Sequence, residues 1–138
     1  MKIAVDTSVL LDVLGADQQF GEASREALRA AYDTGALVAC EVVWAEVRAH
    51  FESSESCRED LTFLGIRFDS MAPEAADLAG RLWRERRRKP KPKEDRDRIV
   101  ADFMIGAHAQ VQADALLTRD RGFYRRYFQS LEILNPTA

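Results

Sequence analysis

Ile3-Ala4-Val5-Asp6-Thr7-Ser8-Val9-Leu10-Leu11-Asp12-Val13-Leu14-Gly15 opens on an apolar run, halts at Asp6-Thr7-Ser8 and resumes with helical spacing as far as Gly15. A short apolar run bounded by a turn reads as a buried strand, and Thr7 or Ser8 supplies a hydroxyl to cap the helix that follows. Ser8, Asp12 and Gly15 share one side of that helix, which assigns Asp12 to a polar helix face and not to a ligand set. The rest of the chain repeats the alternation. Residues 22–33 read as a helix closed by Gly35, 37–40 as a strand and 41–51 as a helix. Residues 54–64 form a shorter helix and 66–68 a weak strand, and Pro73 opens a helix over 74–88 that Pro90 and Pro92 break. A helix over 99–112, a strand over 115–118, a helix over 123–128 and a strand over 131–134 complete the chain. Strands alternating with helices imply an α/β domain with a mainly parallel sheet.

Length and composition agree with one such domain over residues 1–138. With 138 residues and 46% hydrophobic side chains, the chain can bury a single core, which excludes wholesale disorder. Seven glycines and four prolines are too few for a fibrous or linker-dominated chain. The net charge of −3 is unevenly spread: residues 84–98 carry nine basic and four acidic side chains, a local +5 that leaves −8 on the remainder. A basic strip on an acidic body suits a polyanion, and a solvated charge run suits it equally. That segment is expected to be an exposed loop. Cys40 and Cys57 lie 17 residues apart with no CxxC and no histidine at metal-site spacing, so neither a zinc site nor a disulfide framework is expected. Asp6 and Asp12 interrupt the N-terminal apolar stretch and no apolar run reaches about 18 residues, so no membrane association is expected and the cytoplasm is the expected location.

Four carboxylates stand in apolar settings. Asp102 is the only charge in Ile99-Val100-Ala101-Asp102-Phe103-Met104-Ile105-Gly106-Ala107, a run apolar on every side of a helix. Burying an unpaired carboxylate costs several kcal/mol, roughly, so Asp102 needs a cation, a hydrogen-bond cage or a raised pKa. Glu46 borders the stripe Val43, Val47 and Phe51 on its own helix. Asp6 and Asp120 follow apolar runs, at the carboxyl ends of expected strands, where open α/β sheets place their ligands. Each of these two also suits a turn or cap. Gathered in one crevice, four acids repel one another unless a cation neutralises them. Hard oxygen ligands without a His or Cys cluster favour Mg²⁺ or Mn²⁺, one ion or two, and thus phosphoryl-ester chemistry.

Ile3-Ala4-Val5-Asp6-Thr7-Ser8-Val9-Leu10-Leu11, Val42-Val43-Trp44-Ala45-Glu46-Val47, Ala101-Asp102-Phe103-Met104-Ile105-Gly106-Ala107-His108-Ala109 and Leu117-Thr118-Arg119-Asp120-Arg121-Gly122-Phe123 together resemble the motifs of PIN-domain ribonucleases, and among them the VapC toxins of toxin–antitoxin pairs. The resemblance runs in order from residue 3 to the C-terminus. It implies a PIN-like three-layer α/β/α sandwich and a metal-dependent endoribonuclease. It also implies a homodimer, or a toxin–antitoxin hetero-oligomer, neutralised by a VapB-type antitoxin. Carried over, Asp6, Glu46, Asp102 and Asp120 are the catalytic, metal-holding acids, and Ser8 and Thr118 are supporting hydroxyls. Cys40 departs from the small polar cap expected before the helix carrying Glu46, and the 84–98 segment is longer and more basic than the motifs need.

The expected reaction is hydrolysis of an RNA phosphodiester, tRNA being a common target among the resembling toxins. Arg96, Arg98, Arg119 and Arg121 neighbour the acids and are candidates for RNA contact. The tract Arg121-Gly122-Phe123-Tyr124-Arg125-Arg126-Tyr127-Phe128 suits either stacking on bases or a helix packed on the core through its i, i+4 aromatic pairs. His50 and His108 read as packed or surface histidines. A metal-dependent DNA nuclease and a non-catalytic PIN-like domain binding RNA or protein are the alternatives.

Overall fold

The computed structural model describes residues 1–89 and 100–137. Five strands form one sheet: β1 (Lys2–Val5), β2 (Ala36–Ala39), β3 (Ile66–Phe68), β4 (Ala115–Leu117) and β5 (Glu132–Leu134). Their order is β3-β2-β1-β4-β5 and every pairing is parallel. Burial follows position. The central strands β1, β2 and β4 are almost wholly enclosed, as continuous apolar runs require when both faces are covered, whereas the edges β3 and β5 are partly exposed.

The connections are α1 (Thr7–Leu14) and α2 (Gly21–Thr34) between β1 and β2, and α3 (Glu41–Arg48) and α4 (Ser54–Phe63) between β2 and β3. α5 (Pro73–Arg87) and α6 (Val100–Gln112) lead to β4, and α7 (Arg121–Tyr127) joins β4 to β5. The chain leaves β1 in one direction along the sheet and, after β3, returns past it in the other. Right-handed crossovers then put α1–α4 on one face and α5–α7 on the opposite face. The expected α/β/α layering with a parallel sheet is what the chain forms. Among the described residues no helix is long and apolar enough to cross a membrane.

Three local readings are corrected. The cap of α1 is Asp6, not Thr7 or Ser8: its backbone is extended and its carboxylate accepts the Thr7 N–H at 2.8 Å. The exposed loop expected over 84–98 does not begin at residue 84: residues 84–87 belong to the helix expected over 74–88 and are the last turn of α5, where basic side chains complement the helix's negative end. Arg86 is moreover buried, and the Arg87 guanidinium lies 5.0 Å over the Trp83 ring. Asp12 is not on a solvated face; it is 4% exposed.

Helix α6 sits against β1, β4 and the neighbouring α5. Its placement depends on Gly106, where an added Cβ would stand 2.3 Å from the Phe128 ring. Phe128 is itself sealed in the core and has little room to move. Gly106→Ala should therefore lose about 1–2 kcal/mol in urea unfolding, overpacking outweighing the ~1 kcal/mol that alanine gains in helix propensity. Unchanged stability would show that the α6–α7 contact yields easily.

Candidate active site

The sheet reverses its winding between β1 and β4, and the two carboxyl ends open a crevice there, the usual ligand position in open α/β sheets. Asp6 follows β1 and its N–H donates to the Leu117 carbonyl at 2.9 Å, so the β1–β4 ladder extends into the crevice itself. Thr118 follows β4 and is fully buried. Its hydroxyl donates to Asp6 Oδ2 at 2.6 Å and accepts the Asp120 N–H at 3.0 Å. One side chain thereby fixes both the Asp6 carboxylate and the turn that carries Asp120.

The crevice is a cleft of about 510 Å³ lined by Asp6, Thr7, Ser8, Glu46, Asp102, Ile105, Arg119 and Asp120. All four expected acids share it, although they come from β1, α3, α6 and the end of β4. A larger cleft, about 640 Å³, lies at the amino ends of β2 and β3 and has no carboxylate in its lining. Asp102, Glu46 and Asp120 are half-buried, so the fully enclosed position expected for Asp102 belongs to Asp6 instead. Ser8 Oγ stands 3.4 Å from Asp6 Oδ2, a long hydrogen bond. Thr7, expected only as a cap, donates its hydroxyl to Glu46 Oε1 at 2.6 Å.

The cleft offers four carboxylates and the hydroxyls of Thr7 and Ser8 with no thiolate or imidazole, which suits a hard divalent cation in kind. Among the described residues, however, no three His, Cys, Asp or Glu side chains converge closely enough to cage an ion as they stand. Two of the acids are turned toward hydroxyls: Asp6 toward Thr118 and Ser8, Glu46 toward Thr7. Electrostatics nevertheless couples three of the four. Burial, opposed by the hydrogen bonds of Thr118 and Thr7, lifts the Asp6 pKa to about 6, and the like charges of Asp102 and Asp120 add to the rise.

Among the expected RNA contacts, Arg119 lines the cleft but its guanidinium is spent on Asp12, with Nε to Oδ2 at 2.6 Å and Nη2 to Oδ1 at 3.0 Å. Arg121 is exposed on the first turn of α7. Arg96 and Arg98 lie outside the described residues. The aromatic tract proves to be packing: Phe123, Tyr124 and Phe128 are buried, and Phe103 of α6 meets Phe123 and Tyr127 edge-on at 5.1 and 5.0 Å. His108 is buried and pairs through Nε2 with Asp69 Oδ2 at 2.8 Å, and His50 is exposed. Cys40 occupies the cap position of α3, yet its side chain makes no capping bond.

Fold and cleft define an open α/β domain with an acid-lined pocket at its winding reversal. The chain belongs to the PIN domain family, whose model matches residues 3–129. Similar solved structures include a chain of VapBC2 from Rickettsia felis bound to a DNA fragment from their promoter, 13% identical with a TM-score of 0.68 over 98% of each chain. A chain of VapBC-1 from nontypeable Haemophilus influenzae is 15% identical with a TM-score of 0.68 over the whole of both chains. VapC20 of Mycobacterium tuberculosis, described as a sarcin-ricin loop cleaving toxin, is 15% identical with a TM-score of 0.58 over 90% of this chain and 94% of that one. At these identities the likeness is one of fold. No curated protein matches the chain.

The raised Asp6 pKa has a consequence for stability. The folded chain keeps the Asp6 proton up to about pH 6, whereas the unfolded chain releases it near 3.8. Stability from the protonated group is thus complete below pH 4 and lost as pH rises through 6, a change on the order of 3 kcal/mol. With EDTA present, Asp6→Asn should gain on the parent by that order between pH 4 and pH 7 in urea unfolding. A gap that shrinks over the same range would mean that Asp6 is stabilised as an anion.

Proposed function

We propose that this chain is a Mg²⁺- or Mn²⁺-dependent endoribonuclease acting as the toxin of a toxin–antitoxin pair. The observation that carries the reading is the gathering of Asp6, Glu46, Asp102 and Asp120 into one cleft from positions far apart in the sequence. Membership of the PIN family and the likeness of fold to VapBC chains and to VapC20, described as a sarcin-ricin loop cleaving toxin, support it. Asp6 and Asp102 would hold the principal ion, with Asp120 and Glu46 completing its surroundings or holding a second. When bound, such an ion supplies a lowered pKa for the attacking water and charge stabilisation on the scissile phosphate.

The chain's own groups do the positioning. Thr118 and the Thr7 N–H fix the Asp6 carboxylate from two sides, and Thr7 Oγ1 holds Glu46 toward the cleft. Hydroxyls can turn aside without leaving a charge unpaired, so both acids can exchange these bonds for a cation. Burial of Asp6 beside two further acids makes their shared negative charge electrostatically costly and favours a positive guest. A VapB-type antitoxin as the neutralising partner, a homodimer and a cytoplasmic location complete the reading.

Purified protein incubated with a small-RNA pool and Mg²⁺ or Mn²⁺ should yield discrete fragments, lost with EDTA and in Asp102→Asn. That variant should melt at or above the parent temperature at neutral pH, because it removes a like charge from beside Asp6. Cleavage by Asp102→Asn at the parent rate would sink the site assignment. Preferential cutting of DNA over RNA would move the protein to a different nuclease class.

A further inference from the structure

Arg119 stands between Thr118 and Asp120, the two residues through which β4 enters the cleft. Its side chain turns away from the acids toward α1, where Asp12 meets it with both carboxylate oxygens. Asp12 is 4% exposed and also accepts the buried Ser24 hydroxyl at 2.7 Å. The Phe20 ring covers the guanidinium at 4.0 Å, a cation–π contact. Two-pronged hydrogen bonding and a covering ring fix the plane of the guanidinium, which neither contact alone would do.

This arrangement does not suit a side chain that meets substrate. Asp12 already balances its charge, and the edge formed by Nε and Nη2 is in use. It does suit a tether. The turn carrying Asp120 is braced from within by the Asp120 N–H on Thr118 Oγ1, and Arg119 ties the same turn to α1, the helix that Asp6 caps. We propose that Asp12 and Arg119 are positioning residues: their ion pair, stacked on Phe20, locks the 118–120 turn so that the Thr118 hydroxyl and Asp120 face Asp6. The proposal rests on the nuclease reading for its effect on catalysis, but the tether can be tested without it.

Asp12→Asn and Arg119→Met each cut the tether, and Phe20→Leu removes only the ring. Asp12→Asn keeps the side chain's size, and Phe20→Leu leaves no buried charge unpaired, so a folded variant is assured a reading. Three quantities are measured well below the melting temperature. They are Mn²⁺ affinity by calorimetry, kcat and KM on RNA, and hydrogen exchange of the Asp120 amide. Loss of a group that orients ligands from behind typically costs about tenfold to a hundredfold in metal affinity or activity. Asp12→Asn and Arg119→Met should each lose that much Mn²⁺ affinity and kcat with KM changed less than about threefold, and the double variant should be little worse than either. The Asp120 amide should exchange faster in both, and Phe20→Leu should shift every readout the same way by less.

A rise in KM in Arg119→Met, with Asp12→Asn unaffected, would overturn the proposal in favour of direct substrate contact. So would unchanged Asp120 exchange and Mn²⁺ affinity in both single variants. If the parent neither cleaves RNA nor binds Mn²⁺ while the Asp120 amide still loosens in both, the nuclease reading fails and the tether stands.

Discussion

The parallel pairing of β1 with β4 is the constraint on which the cleft depends. It sets Val5 beside Leu117, and the next backbone bond, from Asp6 to the Leu117 carbonyl, carries the ladder one step past the strands. Asp6 and Thr118, 112 residues apart in sequence, are thereby held at hydrogen-bond distance. A carboxylate in such an enclosed place would ordinarily be discharged or removed, because taking it from water costs more than one hydrogen bond returns. Here the strand ends supply a hydroxyl on one side and the first N–H of α1 on the other, so the group is fixed in orientation and left electrostatically hungry. Asp102 from α6 and Asp120 from the β4 turn then arrive as further negative charge. Strand pairing, capping and charge repulsion all meet at this one side chain.

Much of this was legible in the sequence, because the informative signals were local. Apolar runs broken by Asp-Thr-Ser, Gly35 and Pro73 mark the strand–helix alternation, and the structure places those elements within a few residues of their expected ends. The acids stood out because each interrupts or ends an apolar stretch. What the sequence hid was partnership at long range. Asp12 interrupts Val9-Leu10-Leu11-Asp12-Val13-Leu14 just as Asp102 interrupts its own helix, and the same reasoning applied to both would have placed Asp12 inside. Helical spacing with Ser8 and Gly15 suggested a wet face instead, since nothing local reveals that Arg119 waits 107 residues on.

The basic segment shows the opposite error. Its composition suggests a loop from residue 84, yet the helix expected over 74–88 prevails through residue 87, because arginine is a good helix former and a helix's last turn welcomes cations. The aromatic tract of α7 was ambiguous for a sound reason: i, i+4 aromatic pairs serve a core and a stacking platform alike. Depth decided it, and depth depends on Gly106, whose missing side chain lets Phe128 close against α6.

The strand order carries a consequence for how the protein comes into being. β1 is the earliest of the five strands to be made and finds β2 after some thirty residues of chain, but its other neighbour, β4, begins only at Ala115. Contacts that span most of a chain form late, since a long loop must close before they repay its entropy. Until the ribosome has passed Asp120, the three earlier acids have no common floor to stand on. The four acids can therefore share one cleft only after β4 and the turn that follows it have been made.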